Sequence, residues 1–387
     1  MGISIGLVGL GQFGSGFAEL FKRHPLVDRL ALCDRERERI DKFAKREDFQ
    51  DKFNASDAYD SLDQILKSDL DALAIITQPW LHAPQCIATM ESGKHVYSAV
   101  PIISIPDGDE ILEWCDKIID TCRKTGKHYM LGETTYYRPQ AMYCRRRATE
   151  GAFGDFVYAE GEYLHPFDLP TCDLREVYKA RLNSKSGREW GELAREYRDR
   201  GVISGPMHYP THSTSGPICV MNAHAVKVCA WPYFNRTDEP YFPKEQPSNE
   251  TALFLMSNGA TVRIAEHREL GHPGREMFRV YGTEGSFEHD RWCDKNDCTD
   301  LTVQEMRDPL PTEVVEAFAG KGNFYGGHGG SHAYLVHEFV DAVAGGRTPV
   351  INAWEAARYM AAGVMAHKSA MKDGEILDVP DWGDAPQ

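Results

Sequence analysis

Two short stretches each gather several side chains that can move a proton. Gly205-Pro206-Met207-His208-Tyr209-Pro210-Thr211-His212 carries two imidazoles and a phenol, and Glu162-Tyr163-Leu164-His165 adds another of each. Imidazole titrates near neutrality, so His212 suits reversible removal of a hydroxyl proton, and Tyr163 or Tyr209 can handle a second transfer. His208 is either a partner in that work or a satisfied histidine in the wall. His208 and His212 stand four apart, as metal-binding helical pairs do, but no Glu follows the first and Pro210 lies between them; no metal is expected. Glu133 and Tyr136, in Gly132-Glu133-Thr134-Thr135-Tyr136-Tyr137, offer a substrate a carboxylate and a stacking face. Their alternatives are a carboxylate at a helix start and interface packing. Tyr163 has the alternative of a sheet aromatic in the core.

Those groups need a scaffold, and the N-terminus reads as a cofactor platform. Ile3-Ser4-Ile5-Gly6-Leu7-Val8 is an apolar strand that runs into Gly9-x-Gly11-x-x-Gly14, with Gln12 and Phe13 inside the turn. Gly9 permits the tight turn, Gly11 lets a pyrophosphate approach the backbone, and Gly14 lets the next helix lie close on the strand. Asp34 closes a second apolar run twenty residues after Gly14. A carboxylate there accepts from ribose hydroxyls and repels a 2′-phosphate, which predicts NAD rather than NADP; Arg35 beside it pulls the other way. Thr77, Gln78 and His82 follow a strand end on the ligand-binding edge of such a sheet, and Val100-Pro101 ends the next. His82 either flanks the nicotinamide ribose or caps a helix.

Strand signals at Leu30 to Asp34, Ala72 to Thr77, His95 to Ser98 and His128 to Leu131 alternate with helical stretches such as Ser61 to Lys67 and Ile111 to Lys124. That order predicts a doubly wound parallel Rossmann sheet over residues 1–132. Residues 133–387 then read as an α+β substrate-binding and oligomerisation region with a mostly antiparallel open sheet. Its period-two runs are Asp155 to Tyr163, Ala225 to Ala230, Glu250 to Met256, Thr261 to His267, Met277 to Tyr281 and Ser286 to His289. Arg188 to Gly201 reads as a charged helix, Asp294 to Phe324 as a long loop, and Ser331 to Ala344 and Ala353 to Met371 as helices returning toward the cofactor region.

The 387 residues allow about two domains. A net charge of −15, from 58 acidic and 43 basic residues, argues against nucleic acid and anionic membrane as partners. No apolar run approaches the roughly 20 residues of a membrane span, and no export signal is visible. The ten cysteines form no C-x-x-C pair, and reduced thiols in a cytoplasm are expected. An open sheet with one apolar face predicts a homodimer or homotetramer.

Gly93-Lys94-His95-Val96-Tyr97-Ser98-Ala99-Val100-Pro101 resembles the G-K-H-V-x-x-E-K-P segment of the Gfo/Idh/MocA oxidoreductases, and the resemblance extends along the chain. In typical dehydrogenases of that family the lysine takes part in proton transfer from the hydroxyl being oxidised. Val100 stands in its place and cannot donate, accept or titrate. The family's Asp-x-x-x-His becomes His208-x-x-x-His212. Tyr209-Pro-Thr-His212, Glu162-Tyr163-Leu164-His165 and Gly327-His328-Gly329-Gly330 are similar to one branch, the NAD-dependent glycosidases typified by α-N-acetylgalactosaminidases. That branch also lacks the lysine, in an E-V-P string from which Ala99 departs. The resemblance implies active-site roles for Tyr163, Tyr209 and His212, with His165 and His328 toward the substrate. It also implies a cycle: oxidation of a sugar C3 hydroxyl, loss of the acidified C2 proton, elimination at C1, addition of water and reduction of the ketone. Two alternatives stand beside it: a net sugar dehydrogenase, and a non-catalytic NAD-binding sensor.

Overall fold

β1 (Ile3–Val8) is the centre of a parallel sheet because nearly every residue in it is apolar or glycine and is buried on both faces. With β2 (Val27–Cys33), β3 (Phe53–Tyr59), β4 (Ala72–Ile75), β5 (His95–Ser98) and β6 (Tyr129–Leu131) it forms the order β3-β2-β1-β4-β5-β6. The strand order turns round between β1 and β4, which opens a crevice at their carboxyl ends. The computed structural model describes residues 2–236, 244–319 and 325–386. The covering helices are α1 (Gln12–Arg23), α2 (Arg37–Ala44), α3 (Leu62–Ile65), α4 (His82–Glu91) and α5 (Gly108–Thr125). α5 shows how such a helix is bounded. Asp107 caps its first turn through the N–H groups of Asp109 and Glu110, Arg123 and Lys124 sit at its negative end, and Gly126 closes it at φ 66°.

After α6 (Pro139–Thr149) the chain enters the second sheet with β7 (Phe156–Leu164). A small hairpin, β8 (Asp168–Leu169) and β9 (Cys172–Asp173), precedes α7 (Leu174–Leu182), α8 (Lys185–Asp199) and α9 (Thr211–Met221). The remaining strands are β10 (Ala225–Phe234), β11 (Pro247–Met256), β12 (Thr261–His267), β13 (Arg275–Gly282), β14 (Gly285–Glu288), β15 (Arg291–Asp294), β16 (Cys298–Asp300) and β17 (Leu377–Asp378). They lie in the order β16-β15-β14-β13-β7-β12-β11-β10-β17. The β7–β12 pair is parallel and the other pairs are antiparallel. One face packs on α9, where Gly161 is essential to the fit: a Cβ there would strike the carbonyl oxygen of Ser213. The opposite face exposes Trp231, Tyr233, Leu253 and Leu255.

Helices α10 (Val303–Met306), α11 (Thr312–Phe318), α12 (Ser331–Gly345) and α13 (Ala353–Ala370) complete the chain, and α13 returns to pack on α5. Among the described residues no helix is long and apolar enough to cross a membrane.

Several expectations need correction. The stretch from Asp294 is not one long loop: it holds β16, α10 and α11, and residues 320–324 lie outside the described residues. The start of α10 is a Thr302/Glu305 capping box, a signal present in the sequence but carried by too short an apolar pattern to stand out. β3 escaped notice because an edge strand with exposed Asn54, Ala55 and Ser56 shows no apolar run. The thiols are not all reduced: the β15–β16 register sets Cys293 opposite Cys298, and their sulfurs are bonded.

Candidate active site

The glycine turn is shaped to receive a dinucleotide. Gly9 has φ 98°, and a Cβ on it would strike the carbonyl oxygen of Ile76, while one on Gly14 would strike that of Gly9. A Cβ on Gly11 would meet nothing within 4 Å, and Gly11 caps α1 without any side-chain bond. The first N–H groups of α1, from Gln12 and Phe13 onward, are thus left without a capping side chain beneath open space, as an anion requires. Asp34 is 6% exposed. Its oxygens accept from the N–H groups of Leu10 at 2.7 Å and Glu36 at 2.8 Å, which fixes the carboxylate and leaves lone pairs for ribose hydroxyls. The Arg35 guanidinium is engaged elsewhere, at 2.7 and 2.9 Å from the two Glu189 oxygens. Phe13 lies against the rings of His328 and His332, at 5.9 and 5.2 Å between centroids.

On the neighbouring strand ends, Thr77 donates to the Gln85 side chain at 2.6 Å, and Gln78 begins a short turn through Pro79–Leu81. His82 is buried between the carbonyls of Pro101, 2.9 Å from Nδ1, and Thr77, 3.3 Å from Nε2. Burial holds its pKa at about 4, so it is a neutral tie between two loops. Val100 is half-buried beside buried Pro101, and its carbonyl accepts from the Tyr209 hydroxyl at 3.4 Å.

The second sheet faces this edge with an acidic row fixed by strand register. Glu250 pairs with Glu266, Glu266 with Tyr163, and Tyr163 with Glu276, across β11, β12, β7 and β13. α9 lays His212 on that row. The His212 ring is 4.9 Å from that of Tyr163, 5.7 Å from Tyr209 and 6.4 Å from His328. Its Nδ1 donates to Glu133 at 2.9 Å and lies 3.9 Å from Glu276. No described residue bonds its Nε2, and that atom is not sealed among the buried unpartnered groups.

Electrostatics make this histidine cationic at rest. Burial opposes the charge, but the carboxylates of Glu133 and Glu276 outweigh it and lift His212 to about 9. The near-neutral value expected of an ordinary imidazole is corrected by those two neighbours. Glu133, wholly buried, is itself held below the usual carboxylate range: burial opposes its charge, but His212 overcomes that penalty. Glu276 is tied to Arg138 at 2.8 and 2.6 Å and to the Thr135 hydroxyl. Glu133, His212 and Glu276 present ligand atoms within 4.8 Å of one another. The carboxylate oxygens facing the imidazole already accept from His212, the Thr135 N–H and hydroxyl, and Arg138, so the set holds a proton at Nδ1.

Around Tyr163, Arg268 lies over the ring at 4.7 Å and bonds Glu266 at 2.7 Å. Burial raises the Tyr163 phenol well above 10, partly countered by Arg268, so it is neutral. Burial also lifts Glu266 to about 7, against the pull of Arg268 and the Ser213 hydroxyl. His165 stands 5.5 Å from Tyr163, and His328 bonds His332 at 2.9 Å.

Two expected residues fall outside the cluster. His208 turns away from the substrate side: its ring packs 4.4 Å from that of His367, near Gly108, because the turn Pro206–His208 precedes α9 and points the other way. Tyr136 sits under the Arg145 guanidinium at 3.7 Å and lines a cavity with Cys219 and Glu355, apart from His212. Conversely, Glu276, Glu266, Arg268, Thr135 and Arg138 were not singled out. Their signal was an acidic residue on the inward phase of an alternating strand, as in Val262-x-Ile264-x-Glu266 and Glu276-x-Phe278-x-Val280.

Residues 3–133 match the family described as oxidoreductase family, NAD-binding Rossmann fold. That match, to the Gfo/Idh/MocA oxidoreductases, covers about a third of the chain. An α-N-acetylgalactosaminidase of Shewanella oneidensis is 23% identical over 415 residues, covering 98% of this chain and 85% of that protein. The myo-inositol 2-dehydrogenase of Lactobacillus plantarum shares the fold of this chain at a TM-score of 0.69 and 16% identity, covering 98% and 100%. The scyllo-inositol dehydrogenase of Lactobacillus casei, solved with NAD(H) and scyllo-inositol, gives 0.67 and 17%, covering 98% and 99%.

Proposed function

We propose that this chain is a sugar-active enzyme of the Gfo/Idh/MocA type that uses NAD to oxidise a pyranoside at C3 transiently, with net cleavage of the glycosidic bond. The observation that carries the reading is the pairing of His212 and Tyr163, 4.9 Å apart, facing the strand ends where Val100 replaces a titratable lysine. Gly9, Gly11, Gly14, Asp34 and the loop at Thr77 and Gln78 would hold the dinucleotide, whose nicotinamide supplies a hydride acceptor and later returns the hydride.

The chain's own residues then divide the proton work. His212 accepts the C3 hydroxyl proton at Nε2 once it has lost its resting proton, while Glu133 and Glu276 keep Nδ1 protonated and fix the tautomer. A C3 ketone acidifies C2–H, which allows elimination at C1. Tyr163 carries the second transfer, at C2 or at the departing C1 oxygen. A neutral phenol donates its proton to the leaving group and, as the phenolate so formed, takes the C2 proton; both transfers run in reverse when water adds. Tyr209, anchored at the Val100 carbonyl, orients the sugar beside His165 and His328.

A net dehydrogenase is the second reading, favoured by the sugar and inositol dehydrogenases that share the fold. A panel of aryl glycosides separates them. Aglycone release without NADH accumulation, and solvent deuterium entering C2, is the expected result. Stoichiometric NADH with a keto sugar would replace this reading by the second, and cofactor binding with neither signal would mean a sensor. We further infer a boundary near residue 132 and assembly as a dimer or tetramer through the sheet face that exposes Trp231, Tyr233, Leu253 and Leu255.

A further inference from the structure

We propose that Glu189, a residue of α8 far from the nucleotide-binding strands in sequence, is a cofactor-specificity determinant that withholds Arg35 from the 2′-phosphate of NADP. The inference rests on the reading of this chain as an NAD-dependent protein. Arg35 follows Asp34 at the end of β2, the corner where an adenosine ribose is read. A guanidinium there is well suited to a phosphate, because its planar fork matches two oxygens at once. Here both terminal nitrogens of that fork are bonded to the Glu189 carboxylate, at 2.9 and 2.7 Å. Arg39, a further guanidinium near this corner, lies 3.4 Å from Asp34 Oδ2. Both guanidiniums therefore face a carboxylate already.

The Arg35–Glu189 pair is exposed, 49% and 61%, so its strength alone is small. Its position is what matters, and α8 is pinned to hold it. Lys185, one turn earlier, donates to the Arg35 carbonyl at 2.9 Å. Trp190, the next residue, stacks on Trp80 with 5.0 Å between centroids and 14° between planes. Farther along, Tyr197 bonds Glu110 at 2.5 Å, and Arg200 bonds Asp107 at 2.6 Å and Glu110 at 3.0 Å. The helix thus crosses from the β2 corner past the β4 loop to the start of α5, and these anchors hold the Glu189 backbone beside Arg35. A 2′-phosphate entering this corner meets Asp34 and Glu189 while the fork that could bind it is occupied.

The test is equilibrium binding, not turnover: fluorescence titration of the full chain with NADH and with NADPH. The wild-type chain is expected to bind NADH more tightly. Glu189→Gln is expected to bind NADPH about tenfold more tightly than wild type, with NADH affinity little changed. Arg35→Ala/Glu189→Gln is expected to lose that gain. Unchanged NADPH affinity in Glu189→Gln, or a gain that survives the loss of Arg35, would overturn the role of Glu189 while leaving NAD preference intact. A wild-type chain that prefers NADPH would instead overturn the NAD reading, and with it the exclusion assigned to Glu189.

Discussion

Replacing Glu133 by Gln isolates the charge that keeps His212 protonated. Glutamine preserves the shape and leaves an oxygen to accept from Nδ1, but removes the buried negative charge 2.9 Å away. Lifting an imidazole from 6.5 to about 9 is a preference of about 3 kcal/mol for the cation, achieved against the penalty of burial. A hydrogen bond to a charged group exceeds a neutral one by about 1–2 kcal/mol, so the His212 midpoint should fall by roughly one pH unit or more, Glu276 supplying the remainder. The assay is NMR titration of ring-labelled histidine in the ligand-free chain, with His212→Gln to assign the signal. A second readout is the pH dependence of alcohol oxidation. A base must be neutral to act, so wild-type kcat/KM should rise with pH toward about 9, and the Glu133→Gln limb should lie at lower pH. Linkage gives a sign as well. A folded pKa above the unfolded one contributes stability that is complete below about 6.5 and is lost as pH rises through about 9. In Glu133→Gln that alkaline loss should begin earlier. A His212 midpoint that does not move would refute the assignment of its charge to Glu133.

Other consequences can be checked separately. His212→Gln should lower turnover by about 100-fold or more while NADH still binds, read by paired kinetic and fluorescence measurements. Tyr163→Phe should slow aglycone release by a comparable factor yet leave the hydroxyl-oxidation step largely intact, seen as hydride transfer in a single turnover. Arg268→Gln leaves Glu266 buried without its cation; the expected loss is about 3 kcal/mol of stability by denaturant titration, smallest where Glu266 is protonated, below its pKa of about 7.

The nucleotide half was legible because its chemistry is local. Gly9, Gly11, Gly14 and Asp34 are close enough along the chain for spacing to imply geometry, and the buried parallel strands are plain apolar runs. The half that holds the proposed catalytic residues was legible only in part. His212 and Tyr163 announced themselves by type, but nothing near His208 in sequence tells which way a short turn will aim its ring. Glu133 was noticed, whereas its task, holding an imidazole that arrives 79 residues later, depends on how α9 docks. Arg35 reads locally as a free guanidinium, and nothing near it in sequence tells that Glu189, 154 residues away, bonds both ends of its fork.

The acidic row shows what a linear reading must add. Glu250, Glu266, Tyr163 and Glu276 come from four strands, and only the pairing register sets them side by side on one face. A slip of one residue in β13 would turn Glu276 outward and bring Arg275 or Met277 in, because side chains alternate along a strand. Depth matters equally, since His212 reaches the row only if α9 lies close on β7. Gly161 permits that approach, as a methyl there would strike the Ser213 carbonyl in the first turn of the helix. Gly161→Ala touches none of the proposed catalytic side chains, yet it must lift α9 or bend β7. Overpacking of this kind costs about 1–3 kcal/mol. The His212–Glu133 bond should stretch with it, so His212 titrates nearer 6.5, turnover falls, and cofactor affinity stays unchanged. A Gly161→Ala chain with the wild-type His212 midpoint and wild-type turnover would show that close docking of α9 is not what fixes the site.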